Sequence, residues 1–278
     1  MIRRVEESVM GTPAIDGAGV HLIRVLGPND MRRFDPFLIL DVFDSRNPKD
    51  YVKGFPFHPH RGLETVTYLL KGRIEHEDSV GNKGTIHKGE CMWMTAGSGV
   101  IHQEMPQPSE HYQSLQLWVN LAKEDKMTAP AYFEIVPGMM NRVVEPFGTV
   151  KVITGQYNGH KGAKAPNTDV TLMDIEIKPD ESLSMPVDEQ ANIFVYIVDG
   201  SGRFGGDKRK LMENKVALRF GKGDEFYVRA GSEGLRFIFF AAHPLNEPIS
   251  WGGPIVMNSR EELEQAFDDL DTGRFVKL

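Results

Sequence analysis

The sequence has few of the features that would place it in a membrane or an oxidising compartment. It contains one cysteine, Cys91, so a disulfide bond within the chain is impossible. It has no run of roughly 18 or more apolar residues, so no transmembrane helix is expected. The first residues include Glu6 and Glu7 and lack the apolar core of a signal peptide. We therefore expect a cytoplasmic protein without a membrane partner, with the nucleus as a further location if the source is a eukaryote.

Clusters of lysine and arginine are also missing. The chain has 32 Lys and Arg against 39 Asp and Glu, which gives a net charge of −7. Basic residues occur only as isolated pairs, such as Arg3–Arg4 and Arg32–Arg33. Nucleic-acid-binding surfaces need concentrated positive charge, because most of their affinity comes from phosphate contacts. We therefore expect no direct binding of nucleic acid, whereas this composition is compatible with a protein partner.

Short segments of alternating apolar and polar residues are abundant, and glycine turns separate them. In residues 114–121, for example, every second residue is apolar, so one face of the predicted strand should be buried. Similar segments recur over residues 57–121 and again over residues 150–240. Many short strands with glycine turns are typical of an all-β barrel or sandwich.

One amphipathic helix is predicted near the C-terminal end. Ser259 has the properties of an N-cap, and Glu262 lies three residues further on, as in a capping box. The apolar residues that follow have helical spacing, at positions 263, 266, 267 and 270. The expected fold class is therefore all-β with one short C-terminal α-helix.

The segment 126–149 interrupts the series of predicted strands and is rich in charged residues, proline and glycine. We interpret it as a linker between an N-terminal domain, residues 1–125, and a C-terminal domain, residues 150–278, which ends in the helix. A chain of 278 residues is long enough for two domains of ordinary size.

The two predicted domains share an internal repeat. Residues 66–72, Val-Thr-Tyr-Leu-Leu-Lys-Gly, resemble residues 194–200, Phe-Val-Tyr-Ile-Val-Asp-Gly. Residues 88–90, Lys-Gly-Glu, resemble residues 222–224, Lys-Gly-Asp, at a slightly larger offset. Two copies of one barrel that differ by a loop insertion would produce this pattern.

The strongest chemical signal is two pairs of candidate metal ligands. His58 and His60 form the first pair, and His102 and Glu104 form the second. On an extended strand, residues two apart point to the same face of the sheet. If the two strands are neighbours, three imidazoles and one carboxylate converge on one point. Such a set suits one divalent transition metal ion per chain, namely Fe(II), Mn, Ni, Cu or Zn.

Either pair alone is weak evidence, because His-x-His pairs arise by chance in many chains. Here the two pairs occur together and glycines flank both. The repeat predicts equivalents of the four ligands in the second domain, most of which cannot bind a metal: Pro186, Asp188, Arg236 and Ile238. We therefore predict a single site, in the first domain. Glu64, four residues after His60, is an alternative carboxylate ligand that spacing does not distinguish from Glu104.

Aromatic and methionine side chains lie close to the two pairs in the sequence. They are Phe43, Phe55, Phe57, Met92, Trp93 and Met94. One interpretation is an apolar pocket for a flat aromatic substrate, and the other is ordinary filling of the barrel. The sequence does not distinguish between these interpretations.

These motifs resemble those of the pirin family. The similarity lies in His-Pro-His-Arg-Gly-x-Glu-Thr-Val-Thr-Tyr at residues 58–68 and in Trp-Met-Thr-Ala-Gly-x-Gly-Val-x-His-x-Glu-Met-Pro at residues 93–106. It continues in Leu-Gln-Leu-Trp-Val-Asn-Leu at residues 115–121 and in the downstream segments 244–249 and 253–258. The similarity covers nearly the whole chain.

Pirins belong to the cupin superfamily, so the resemblance implies a particular fold and ligand set. The fold would be a bicupin, with two β-barrel domains of the double-stranded β-helix, or jelly-roll, type. The metal would lie in the N-terminal domain and would be Fe(II), with Cu, Mn, Ni or Zn as alternatives. The resemblance also implies that Glu104 is the fourth ligand, beside His58, His60 and His102, and that Glu64 lies behind the ligands.

The resemblance implies two kinds of function. Some pirins resemble quercetin 2,3-dioxygenases, which open the central ring of a flavonol with O2 and release carbon monoxide. A small aromatic substrate and O2 would then bind at the metal, and Glu104 or Glu64 would accept the proton of the substrate hydroxyl. Other pirins are iron-dependent regulators that bind transcription factors or metabolic enzymes. In that case oxidation of the metal would alter a surface that binds a protein partner.

Overall fold

The computed structural model describes residues 1–207 and 210–277 and consists mainly of β-strands. In chain order the strands are β1 (Val5–Met10), β2 (Thr12–Asp16), β3 (Val20–Leu26), β4 (Phe37–Ser45), β5 (Phe55–His60), β6 (Leu63–Lys71), β7 (Arg73–Asp78), β8 (Lys83–His87), β9 (Cys91–Thr95), β10 (Val100–Pro106), β11 (Tyr112–Asn120), β12 (Ala131–Ile135), β13 (Asn141–Glu145), β14 (Gly148–Thr154), β15 (Gln156–Tyr157), β16 (His160–Lys161), β17 (Thr171–Ile177), β18 (Ser182–Pro186), β19 (Asn192–Phe204), β20 (Met212–Glu213), β21 (Val216–Phe220), β22 (Glu225–Ala242), β23 (Ser250–Gly252) and β24 (Ile255–Met257). One α-helix follows, α1 (Arg260–Asp271), and short 3-10 turns lie at Pro48–Asp50, Lys123–Asp125 and Pro137–Met139. The predicted all-β class with one C-terminal helix is confirmed.

Within the part of the chain that the structure describes, no helix has the length and apolar character needed to cross a membrane.

The strands form two compact units. The first, which we call the histidine unit, comprises residues 12–136 and 245–278. The second unit comprises residues 1–11 and 137–244. Each unit therefore includes a segment that is distant in sequence from the rest of that unit.

This division differs from the predicted boundaries at 1–125, 126–149 and 150–278. Strand β1 pairs with β21 and so belongs to the second unit. Helix α1 and the hairpin of β23 and β24 belong to the histidine unit. The predicted linker contains β12, which pairs with β9, and β13, which pairs with β14. Alternation within a short strand indicates which face is buried, but it does not identify the strand's hydrogen-bonding partner.

The histidine unit contains two main sheets. The larger has the strand order β12-β9-β6-β11-β4-β3-β2, and the smaller has the order β5-β10-β7-β8. Buried side chains of both sheets pack into one apolar cluster, which includes Leu69 and Met92 from the larger sheet and Ile74 and Ile86 from the smaller. In β10 every second residue is buried, beginning with the first. His102 and Glu104 therefore point into the unit.

The second unit is built on one sheet, with the order β1-β21-β19-β22-β17-β14-β13. Strand β18 pairs with β22, and β20 pairs with β19. The core of the unit is apolar and rich in aromatic rings, including Phe204, Phe220, Phe226, Phe237 and Phe239.

The C-terminal segment is held in the histidine unit by the buried side chain of Arg61. One guanidinium nitrogen donates to Asp269 Oδ2 at 2.9 Å, and another donates to the Phe275 carbonyl at 2.8 Å. The guanidinium also lies over the Phe275 ring, 4.3 Å from its centre. Arg61 directly follows His60, so this contact joins the predicted metal site to α1 and to the residues after it.

Lys126 makes a second anchor of the same kind. Its ammonium group is buried and donates to the Gly62 carbonyl at 2.7 Å, the Val256 carbonyl at 2.8 Å and Asn120 Oδ1 at 2.5 Å. Burial lowers the pKa of Lys126 to about 7. Three acceptors match the three N–H donors of a lysine, which makes the burial of this group tolerable.

Helix α1 confirms the capping prediction and modifies the predicted buried face. Ser259 and Glu262 form both bonds of a capping box. Ala266 is buried as expected, but Phe267 is 38% exposed and Asp269 is buried instead. The ion pair with Arg61 accounts for the buried carboxylate, because a charge in a core needs a charged or hydrogen-bonded partner.

Replacing Asp269 with asparagine should lower the free energy of unfolding by about 3–5 kcal/mol, because it leaves the buried Arg61 without its charged partner. Arg61 lowers the pKa of Asp269 from 3.8 to about 2. The contribution of the pair is therefore complete above about pH 4 and is lost as the pH falls through about 2. Urea unfolding at several pH values measures both effects.

The matched control is Asp268→Asn. Asp268 is exposed and pairs with the exposed Arg274 at 2.8 Å, so its replacement should cost less than about 1 kcal/mol. Equal destabilisation by the two substitutions would contradict the anchoring role of the Arg61–Asp269 pair.

Candidate metal centre

The predicted ligand strands β5 and β10 are antiparallel neighbours. His102 lies directly opposite His58, and Val100 lies opposite His60. The candidate ligand atoms of the three histidines lie within 4.8 Å of one another. His60 and His102 are buried, with 2% and 0% of their surface exposed, while His58 is partly exposed. The structure therefore brings together the three imidazoles that the sequence predicts.

Two of the imidazoles have a defined orientation. Nδ1 of His58 lies 2.9 Å from the Pro56 carbonyl, and Nδ1 of His60 lies 3.0 Å from the Pro254 carbonyl. A carbonyl oxygen only accepts hydrogen bonds, so Nδ1 carries the proton in each ring. The lone pair on Nε2 is then available, and this is the usual arrangement of a metal-binding histidine.

His102 provides the clearest indication of a bound ion. Both of its ring nitrogens are buried, and neither has a hydrogen-bond partner within residues 1–207 and 210–277. A buried polar atom without a partner costs free energy, and a metal ion would supply the missing interaction. Burial lowers the pKa of all three histidines, to about 3 for His60. The rings are therefore neutral at pH 7, as metal binding requires. These residues fit a transition metal.

Glu104 is buried beside the histidines, but it lies outside the group within 4.8 Å. A bulge between His102 and Glu104 places Glu104 opposite Phe55 on β5. Its Oε1 accepts a bond from the Thr67 hydroxyl at 3.1 Å, and its Oε2 accepts one from Gln116 Nε2 at 2.5 Å. Burial raises the pKa of Glu104 to about 7.

Glu64 is fully buried on β6, opposite Thr95 on β9. Its Oε1 accepts a hydrogen bond from the Thr95 hydroxyl at 2.7 Å. Like Glu104, it is outside the group of histidines within 4.8 Å. A role for either carboxylate at the metal stays a prediction.

A cleft of about 520 Å³ reaches the histidines. His58, His60, Phe55, Gln116 and Trp118 lie in its wall, together with Asp16, Gly17, Ala18, Arg24, Asp41, Pro56 and Pro254. The volume is in the range that accommodates a small organic ligand. The Trp118 ring meets the His60 ring edge to face, with centres 4.7 Å apart.

The predicted aromatic pocket is only partly present. Of the six side chains considered, Phe55 lies in the cleft wall. Phe57 is 54% exposed, and the other four are buried core residues: Phe43, Met92, Trp93 and Met94. Barrel filling therefore accounts for most of the set.

The sequence interpretation missed Gln116, Thr67, Trp118 and Pro254. A signal was available for two of them, because the apolar residues 115, 117, 119 and 121 occupy one face of β11 and leave Gln116 and Trp118 on the other. The contact of Pro254 with His60 joins positions 194 residues apart, and no local pattern indicates it.

His76 has no partner at ligand spacing in the sequence, which predicts an ordinary surface or hydrogen-bonded histidine. It is buried, stacks on Tyr132 with ring centres 4.3 Å apart, and lies 5.4 Å from the His102 ring. Its Nε2 is 3.4 Å from Asp78 Oδ2. His76 is therefore a neighbour of the site, although it lies outside the three-histidine group.

Strand register identifies the positions of the second unit that correspond to the ligands. Gly72 and Gly200 form equivalent turns, and both have positive φ. The residue two positions after Gly72 pairs with Pro106, and the residue two positions after Gly200 pairs with Ala230. Pro106 in β10 therefore corresponds to Ala230 in β22. The ladders with β5 and β18 align the remaining strands. The equivalents of His58, His60, His102 and Glu104 are, in that order, Met185, Val187, Phe226 and Val228.

Met185, Phe226 and Val228 belong to the apolar core of the second unit, and the partly buried Val187 packs against it. The equivalents predicted from the sequence, Pro186, Asp188, Arg236 and Ile238, were wrong. Pro186 and Asp188 each lie one residue beyond the structural equivalent. Arg236 and Ile238 each lie ten residues beyond it, because residues 88–90 and 222–224 are different turns. Gly89 N–H donates to the Leu69 carbonyl, and in the second unit Lys215 makes the matching bond to Ile197. Within residues 1–207 and 210–277, the candidate ligands that cluster are His58, His60 and His102. The absence of a metal from the second domain stays a prediction.

Comparison with known proteins places this architecture in a family. Residues 19–119 match the Pirin family model, and residues 172–276 match that of the Pirin C-terminal cupin domain. A pirin-like protein of Caulobacter vibrioides is 40% identical over 280 residues, with 99% of each chain covered. A crystal structure of quercetin 2,3-dioxygenase from Acinetobacter baumannii is 30% identical, with a TM-score of 0.91 and 99% of each chain covered. A bacterial pirin from Escherichia coli in complex with nickel(II) shares the fold at 21% identity, with a TM-score of 0.65 over 86% of this chain and 99% of that one. The chain therefore belongs to the pirin family and consists of two cupin domains.

Proposed function

We propose that this pirin is a metal-dependent dioxygenase that cleaves a flavonol such as quercetin with O2. The observation that carries the proposal is the cluster of three closely spaced, neutral imidazoles, two of which, His58 and His60, line a cleft of ligand size. The similarity to the quercetin 2,3-dioxygenase of Acinetobacter baumannii supports this choice of substrate class.

The proposed ligands are His58, His60, His102 and Glu104, and the proposed metal is Fe(II). Three imidazole nitrogens and one carboxylate oxygen suit a transition metal better than Ca2+ or Mg2+. The nickel(II) complex of the Escherichia coli pirin supports a transition-metal site in this fold. Copper, manganese and zinc also bind imidazole and carboxylate ligands. The choice of iron is therefore a narrower proposal than the choice of a transition metal.

The bound metal would act as a Lewis acid towards the 3-hydroxyl of the flavonol and would bring O2 to the substrate. The chain's own residues perform the remaining tasks. Trp118 and Phe55 provide flat apolar surfaces in the cleft wall for the aromatic rings. Glu104, buried beside the histidines, would accept the hydroxyl proton, and Glu64 is the second candidate for this role.

Anaerobically loaded protein should bind one Fe(II) or Co(II) ion per chain. His102→Ala should abolish stoichiometric binding, because it removes one of the three converging imidazoles. Metal analysis after gel filtration measures the stoichiometry. His87→Ala is the control, since His87 is exposed on β8 and should leave binding unchanged. Stoichiometric binding by the His102 variant would contradict the site.

The iron-loaded protein should consume O2 and release carbon monoxide when quercetin is added. His60→Ala should lose this activity, while His87→Ala should retain it. An oxygen electrode measures the consumption of O2, and parallel detection of carbon monoxide measures its release. Stoichiometric iron without O2 uptake across several flavonols would contradict the dioxygenase function and would favour the regulatory alternative.

A further inference from the structure

The carboxylate of Glu104 is held by two side chains that are not themselves candidate metal ligands. Gln116 Nε2 donates to Oε2 at 2.5 Å, and the Thr67 hydroxyl donates to Oε1 at 3.1 Å. Gln116 Nε2 also lies 3.3 Å from the Thr67 hydroxyl oxygen, which closes the set. Each carboxylate oxygen accepts one of these bonds and can accept further interactions, because an ionised carboxylate has about four lone-pair sites.

Trp118 determines which way the Gln116 amide faces. The indole N–H of Trp118 lies 3.3 Å from Gln116 Oε1. An indole nitrogen only donates, so the amide atom facing it has to be the oxygen. The NH2 group of Gln116 is thereby directed towards Glu104. The reverse orientation would place the amide oxygen against the carboxylate. It would lose the bond from Gln116 to Glu104 and the bond from Trp118 to Gln116.

The same two residues line the cleft. Gln116 and Trp118 lie two positions apart on β11, on the face that reaches the histidines, and Gln116 is opposite Thr67 on β6. The Trp118 ring also packs against the His60 ring. One wall of the cleft therefore contacts His60 directly and contacts Glu104 through the Gln116 amide.

We propose that Gln116 is a positioning residue, which orients the Glu104 carboxylate for a metal ion held by the three histidines. Trp118 fixes the Gln116 amide in the orientation that this requires. The proposal rests on one element of the proposed function, the ligand role of Glu104, and it is independent of the substrate and of turnover. Partners of this kind around a ligand typically contribute 10–100-fold to metal affinity.

Cobalt(II) binding tests the proposal without any reaction. Gln116→Met keeps the length of the side chain and removes both bonds, so cobalt affinity in competition with a chelator should fall about 10–100-fold. The visible d–d absorption should change in the same direction as in Glu104→Gln, because Gln116→Met releases the Glu104 carboxylate from its orientation and Glu104→Gln replaces that carboxylate with a neutral amide. A purely structural role for Gln116 would change thermal stability and leave this spectrum unaltered.

Two further variants complete the experiment. Gln103→Met is the matched control, because Gln103 lies between His102 and Glu104 in sequence but donates to Glu77 at 3.2 Å, on the other face of β10. It should retain wild-type affinity and spectrum. Trp118→Phe keeps an aromatic ring beside His60 and removes the indole N–H, so affinity should fall about 5-fold, the effect of one neutral hydrogen bond.

Wild-type affinity and spectrum in folded Gln116→Met would overturn the proposal. If that variant fails to fold, Trp118→Phe decides in its place, and unchanged affinity there overturns the proposal. An unaltered cobalt spectrum in Glu104→Gln would overturn it as well, because Glu104 would not be a ligand. Failure of the wild-type protein to consume O2 with flavonols would remove the proposed activity and leave these binding results standing.

Discussion

The antiparallel pairing of β5 with β10 is the constraint on which the candidate site depends. It sets His102 opposite His58 and draws the ligand atoms of three histidines to within 4.8 Å. His60 and His102 are buried, and burial together with repulsion from the neighbouring imidazoles lowers their pKa values, so both rings stay neutral. Hydrogen bonds to carbonyls satisfy one nitrogen of His58 and one of His60, whereas both nitrogens of His102 have no partner in the described chain. Leaving the buried nitrogens of His102 without partners costs free energy, and a metal ion bound by the three imidazoles explains both this cost and the geometry.

The C-terminal segment is a structural part of that site. The Pro254 carbonyl orients the His60 ring, and the next residue in the chain after His60, Arg61, is fixed by the buried carboxylate of Asp269. Lys126 ties the Gly62 carbonyl to the Val256 carbonyl. These contacts surround one ligand with groups from the far end of the chain. They give residues 245–277 a role in holding His60 and its neighbours in place, in addition to packing against the apolar interior of the histidine unit.

The two cupin domains show how one strand framework supports different interiors. At the positions of the three histidines and Glu104, the second unit has Met185, Val187, Phe226 and Val228. The strand ladders are shared, but the interior of the second unit is an apolar core rich in aromatic rings. Metal ligation is therefore separable from the framework, since inward-pointing positions of a barrel accept either polar ligands or packed apolar groups as long as neighbouring positions match them.

The sequence by itself determined the all-β class, the capped helix, the two copies of one framework and the placement of His58 and His60 on one strand face. The internal repeat indicates the two copies, and the others follow from a local period: two residues for strands, 3.6 for the helix, and the same-face rule for ligands at i and i+2. The convergence of His102 with His58 and His60 needed the pairing of β5 with β10. Only the tertiary structure decided the rest. It assigned β1 to the second unit and α1 to the histidine unit, replaced the predicted equivalents of the ligands, and placed Gln116, Thr67 and Pro254 around the site. These outcomes depend on which strands pair and on contacts between residues that are distant in sequence, and no local period contains that information.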